Sequence, residues 1–62
     1  MNRNEAKQAM LDGKKVTHDY FNDEEFMYMR EGKIYDEQDI LHDQFFEIRQ
    51  AEHWNNNWEL FE

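Results

Sequence analysis

Sixty-two residues without cysteine or proline make one domain, 1–62, near the lower size at which a chain lacking disulfides or metal folds alone; a disulfide staple, a thiolate metal site and a cysteine nucleophile are excluded. The net charge of −8 is unevenly placed: residues 16–62 carry thirteen carboxylates against Arg30, Lys33 and Arg49, whereas residues 1–15 carry Arg3, Lys7, Lys14 and Lys15 against Glu5 and Asp12. Such a field repels nucleic acid and acidic membranes and attracts basic protein surfaces of the kind that hold DNA or RNA.

The elements follow in order. Asn2 with Glu5 three residues on has the form of a capping box, so a helix starts here. Ala6, Ala9 and Met10 recur at helical spacing as its buried stripe, and Gly13 is placed to end it in the left-handed conformation. Lys14 to Phe21, with Val16, Thr17, Tyr20 and Phe21, reads as a first strand. Asn22, Asp23 and Glu24 form a polar turn, and Phe26 to Arg30 a second strand with Phe26 and Tyr28 on one side and Met27 and Met29 on the other. Glu31-Gly32 is a hairpin tip leading to the strand Lys33-Ile34-Tyr35. After a charged loop, Asp36 to Asp39, the spacing of Leu41, Phe45 and Ile48 predicts a second helix, capped near Asp43 and running to about Glu52. Asn55-Asn56-Asn57 turns the chain into a closing strand, Trp58 to Phe61. The expected fold is α+β, element order α-β-β-β-α-β, with helices on one face of an antiparallel sheet of three to four strands.

Ten aromatic residues set the chain apart from disordered polyampholytes, which are depleted in them. Phe26, Tyr28, Phe45, Phe46, Trp54 and Trp58 are the expected core, each able to remove about 150–250 Å² from water. A dimer that buries more surface is the alternative route to stability. No apolar run approaches the roughly 20 residues of a membrane span, so the expectation is a soluble, unprocessed, cytoplasmic protein.

Chemistry-bearing motifs are sparse. His18, His42 and His53, with Asp19 or Asp43, offer nitrogen and oxygen ligands, but no HExxH, EF-hand or i, i+4 histidine pair organises them, and no metal is assigned. Serine is absent and Thr17 is the single aliphatic alcohol, which speaks against covalent catalysis; two glycines build no Walker or dinucleotide loop. Trp54 and Trp58 could stack on a nucleotide ring, although Trp58 alternates as a core residue of the last strand. No catalytic residue and no cofactor are assigned.

The acidic runs carry the functional content. Asp19, Asp23, Glu24 and Glu25 form one; Asp36, Glu37, Asp39, Asp43 and Glu47 form another, with no Lys or Arg between residues 34 and 48. A solvated surface explains acids in general, whereas a one-signed surface costs folding free energy by self-repulsion that a basic partner relieves. Asp19, Asp23, Glu24, Glu25, Asp36, Glu37 and Asp39 are the expected electrostatic contact, with Met27 and Met29, on the exposed side of the second strand, as its apolar anchor.

The stretch Glu5-Ala6-Lys7-Gln8-Ala9-Met10-Leu11-Asp12-Gly13-Lys14-Lys15-Val16-Thr17-His18, together with the closing Trp58-Glu59-Leu60-Phe61-Glu62, resembles short phage- and prophage-encoded proteins in which a helix ending in Gly-Lys-Lys-Val leads into the first strand and a Trp-Glu strand completes the sheet. The Thoeris anti-defence 2-like domain is one such family. The resemblance covers about a third of the chain, and the longer Gly- and Pro-rich middle that would form that family's nucleotide pocket has no counterpart. It implies a phage accessory protein in a bacterial host cell, acting as a counter-defence, anti-CRISPR-like inhibitor on a basic surface of a host nucleic-acid-handling or defence protein, with no direct nucleic-acid binding and no membrane. The alternatives are a nucleotide-signal sponge, with Lys14, Lys15 or Arg49 and aromatic residues of adjacent subunits around the ligand, and a structural small phage protein.

Overall fold

Asn2 opens helix α1 (Arg3–Leu11) in the computed structural model, which describes residues 1–61. Its side chain accepts from the Glu5 amide at 2.8 Å, and Glu5 Oε1 accepts the Asn2 amide at 2.9 Å, so the capping box is complete. At the other end Gly13 takes φ +88°. Its amide donates to the Met10 carbonyl and the Lys14 amide to the Ala9 carbonyl, both at 3.0 Å, the paired bonds of a Schellman motif. The helix exit is thus fixed, and the chain emerges ready to form a strand.

Four antiparallel strands follow the expected element order: β1 (Val16–His18), β2 (Met27–Arg30), β3 (Lys33–Asp36) and, after the helical turns, β4 (Trp58–Leu60). The sheet order is β3-β2-β1-β4, with Val16 opposite both Met27 and Leu60, His18 opposite Trp58, and Met27 opposite Asp36. Glu31 and Gly32, at φ +54° and +78°, make the two-residue turn between Arg30 and Lys33 whose twist suits the strands. β1 is shorter than Lys14–Phe21 because His18 stops it. His18 Nδ1 accepts the Tyr20 amide and the His18 carbonyl accepts the Phe21 amide at 2.8 Å, bending the chain and packing Phe21 against the core.

Both sheet edges are occupied. Beyond β3, Leu41 bridges to Tyr35, the Ile34 carbonyl accepts the His42 amide, and the Ile40 carbonyl accepts the Asp36 amide. Beyond β4, the Met1 carbonyl accepts the Trp58 amide, and the Met1 amine donates to the Trp58 carbonyl.

The predicted second helix, Asp43 to about Glu52, is instead one turn, α2 (Phe45–Ile48), followed by a 3₁₀ turn at Glu52–Asn55. Phe45 and Phe46 are adjacent and both buried, while Leu41 and Ile48 are 44% and 68% exposed; the Leu41-Phe45-Ile48 stripe is not the buried one. Asp43 does not cap this turn, since the position before it is Gln44, with no side-chain bond. Its last carbonyls go to side chains: Gln50 Nε2 donates to Phe46 and Glu47, and the Arg3 guanidinium donates to Phe46 and, at 2.6 Å, to Arg49. With those acceptors filled, the helix has no need to continue.

The core is Ala6, Ala9, Met10, Val16, Met27, Phe45, Phe46 and Trp58, with Phe21, Met29, Ile34 and Trp54 packed against it. Burial of each large side chain contributes about 1.5–3 kcal/mol. Trp58 is wholly buried and its indole N–H donates to the Trp54 carbonyl at 2.9 Å. The faces of β2 are the reverse of those expected. Met27 is 2% exposed and Met29 packs on the core, so they are no outward anchor. Phe26 and Tyr28, expected inside, lie on the opposite face, because Val16 must point toward α1 and its cross-strand neighbour Met27 shares that direction.

Candidate protein-binding surface

Strand polarity sorts the charge. The ends of β1 and β3 and the starts of β2 and β4 lie together at one end of the sheet. The loops there hold the first acidic run, Asp19, Asp23, Glu24 and Glu25, between β1 and β2, and the first part of the second, Glu37 and Asp39 beyond β3 with Asp36 as its last residue; Asp43 and Glu47 lie farther on, Glu47 within α2. The opposite end carries the helix exit with Lys14 and Lys15 and the hairpin with Arg30 and Lys33. Two runs separated in sequence by a hairpin therefore meet in space.

The seven expected contact residues divide into two groups. Three carboxylates already work inside the fold. Glu25 Oε1 accepts the Asn22 amide at 2.7 Å, repeating the Asn-x-x-Glu box of α1 at a turn, where Asn22 Oδ1 accepts the Glu24 amide and the Glu25 carbonyl accepts the Thr17 hydroxyl. Asp36 Oδ1 accepts the Gln38 and Ile40 amides while Oδ2 meets His42 Nε2 at 2.8 Å. The His42 hydrogen bond, with those from Ile40 and Gln38, holds the Asp36 carboxyl below the usual carboxylate range despite partial desolvation. Asp39 accepts the Tyr28 hydroxyl, which pushes that phenol above its ordinary value. Asp19, Asp23, Glu24 and Glu37 accept no side-chain hydrogen bond among the described residues. Asp23 and Glu24 stand at the tip of the rigid turn, exposed.

Two further carboxylates join this surface that sequence patterning did not select. Asp19 separates two shallow clefts, one of about 470 Å³ reaching Glu5 and Glu59 and one of about 240 Å³ reaching Asp23 and Glu59. Glu59 arrives through the register Thr17 opposite Glu59, and Glu5 from the helix cap. Only knowledge that β4 pairs with β1 would have placed Glu59.

The cations do not neutralise these acids. Among the described residues no lysine or arginine lies within 4.0 Å of a carboxylate; the single ion pair is His42 with Asp36. Five of the seven cations cover aromatic rings instead: Arg3 and Lys7 over Phe46, Lys15 over Phe26 at 4.6 Å, Arg30 over Tyr35 at 4.3 Å and Arg49 over Phe45 at 4.1 Å. Each such contact is worth about 0.5–1 kcal/mol at exposed sites, and it leaves the carboxylate end electrostatically uncompensated.

The histidines have internal roles. His18 is buried, its Nε2–H shared between the His53 and Asn56 carbonyls at 2.9 and 2.8 Å while Nδ1 accepts the Tyr20 amide; the tautomer protonated at Nε2 satisfies all three. His53 lies against Tyr20, with ring centroids 4.4 Å apart. No helix is long and apolar enough to cross a membrane among the described residues. Comparison with protein-family models, with curated proteins and with solved structures gives no match to this chain.

Proposed function

We propose that this chain is a non-enzymatic binding protein that occupies a basic, nucleic-acid-holding surface of a host protein with its acidic end, in the manner of a phage counter-defence inhibitor working in the cytoplasm of a bacterial cell. The observation that carries the reading is the gathering of Asp19, Asp23, Glu24 and Glu37 at one end of the sheet without a lysine or arginine partner. Unpaired carboxylates on a rigid turn retain their field for a partner and lose little side-chain freedom on binding. The phage setting rests on the resemblance of residues 5–18 and 58–62 to short phage-encoded proteins.

The test is capture from bacterial lysate, followed by titration of the captured protein against this chain in rising salt and in competition with double-stranded DNA. The expected result is a nucleic-acid-handling protein whose affinity falls steeply with salt and is abolished by Asp19→Lys, Asp23→Lys and Glu24→Lys together. Glu25 is left intact because it holds the turn. Unchanged affinity in that folded triple variant would sink the proposal.

One observation favours a second reading, the nucleotide sponge: an open cleft of about 430 Å³ brings Lys14 and Lys15 together with Leu60 and Phe61. A nucleotide held there at 100 times its dissociation constant would stabilise the fold by about 2.7 kcal/mol. A thermal-shift screen with cyclic and linear nucleotides decides this reading, and no shift with any of them removes it.

A further inference from the structure

One face of the sheet packs on α1; the other carries a continuous aromatic row. Phe61 contacts Phe26 (centroids 4.7 Å apart), Phe26 contacts Tyr28 (6.3 Å), and Tyr28 stacks on Tyr35 across the β2–β3 pair (5.9 Å). Among the described residues, Lys15 and Arg30 lie over rings of this row and Asp39 accepts the Tyr28 hydroxyl, and the four rings remain partly exposed. The outer edge of β3 is closed by residues 40–42, and Met1 pairs with Trp58 at the start of β4, which confines strand addition to the Leu60 end of β4. The face is the larger surface the sheet offers for association.

We infer that this face binds a second copy of the chain, sheet on sheet, with the two-fold axis lying between the sheets and running across the strands. Charge selects that arrangement. Arg30 and Lys33 lie at one end of the row and Asp39, bonded to Tyr28, at the other. An axis across the strands sets the basic end of each copy over the acidic end of its partner, whereas an axis along the strands sets like over like. In the selected arrangement β3 lies over the partner's β3. Lys33 then approaches the partner's acidic end near Glu37, which follows Lys33 and Tyr35 in the same alternation, one residue beyond the strand. A second copy carries the same net charge of −8 but, unlike nucleic acid, brings a basic end, Arg30 and Lys33, to set over the acidic end.

The sheet is small. Four strands at about 4.8 Å spacing on a molecule of 26 × 24 × 20 Å fall short of the roughly 800 Å² per partner of a stable complex. The dimer therefore belongs with the weak, transient contacts. It leaves Asp23 and Glu24 outside the contact but engages Glu37, so the Asp19, Asp23 and Glu24 triple variant tests the host interaction and the Lys33 and Glu37 variants test this inference.

Sedimentation of the purified chain from about 10 μM to 1 mM, paired with concentration-dependent NMR shifts, tests it over the range where a weak contact is populated. The expected result is a monomer–dimer equilibrium with shifts at Phe26, Tyr28, Tyr35 and Phe61. Lys33→Glu alone and Glu37→Lys alone should each weaken self-association about tenfold or more, and an equimolar mixture of the two variants should recover it as a heterodimer. A monomer at 1 mM overturns the inference, as does a dimer indifferent to both substitutions or one that the mixture fails to restore. Shifts of the same rings caused by a single-stranded oligonucleotide, with no self-association, would reassign the face to nucleobase stacking and overturn it too.

Discussion

His42 Nε2 lies 2.8 Å from Asp36 Oδ2, and this contact ties the end of β3 to the segment that covers its outer edge. Because Asp36 also accepts two amides through Oδ1, its carboxyl is held below the ordinary value of about 3.9. A depressed folded pKa contributes stability that is fully present above the unfolded value and lost as pH falls through the folded one. Asp36→Asn keeps the Oδ1 acceptor and loses the charge-assisted bond, so it should cost about 1 kcal/mol at neutral pH. Urea unfolding from pH 7 to pH 2 checks the sign: the gap between the two proteins is expected to narrow below about pH 4, and a constant gap would deny the linkage.

The bonds of His18 predict a stability effect that ring volume does not explain. His18→Phe preserves an aromatic ring against Trp54 and Trp58 but leaves the carbonyls of His53 and Asn56 without their shared donor and the Tyr20 amide without its acceptor. A loss of about 1–3 kcal/mol is expected, a fall in melting temperature on the order of 10 °C for a domain of this size. Calorimetry that finds Phe as stable as His at this position would show those bonds to be dispensable.

Unpaired acids should make the fold more stable in salt. Raising sodium chloride from 10 mM to 500 mM is expected to raise the melting temperature of the native sequence, since screening relieves repulsion and there are no lysine- or arginine-to-carboxylate bridges among the described residues to weaken. Asp23→Asn with Glu24→Gln should raise the melting point at low salt by about 1–3 °C and reduce its dependence on salt, while weakening the proposed host interaction. That opposition is the mark of residues kept for binding.

The two ends of α1 should contribute independently. Asn2→Ala removes the cap acceptor, at a cost of about 1 kcal/mol. Gly13→Ala meets no atom within 4 Å but forces a side chain into φ +88°, for about 1–2 kcal/mol. Lying at opposite ends of a nine-residue helix, the two should add to within about 0.5 kcal/mol in chemical denaturation.

The parts legible in the sequence are those set by local chemistry. The Asn2–Glu5 box, the Gly13 stop, the Glu31-Gly32 turn and the wholly buried Trp58 each follow from a few neighbouring residues. Non-local pairing was not legible. Met27 and Phe26 are both apolar, so alternation alone could not say which faces α1, and only the register with Val16 decides. The second helix failed for a related reason: Arg3, forty-odd residues away, takes the carbonyls that would have continued it. At the candidate surface the acidic runs were visible as composition, while their meeting at one sheet end, and the recruitment of Glu59, came from strand order.

β1 obtains its second neighbour from the last strand, and α1 packs on that same strand. During synthesis, α1 must wait until residues 58–60 have emerged before its apolar stripe finds a complete surface. The meander β1-β2-β3 can form from contiguous chain, whereas β4 pairs with β1 across about forty residues. Vectorial synthesis thus leaves α1 and the outer side of β1 without their last neighbour until β4 arrives, and the docking of β4, the longest-range strand pairing of the sheet, is expected as the late step.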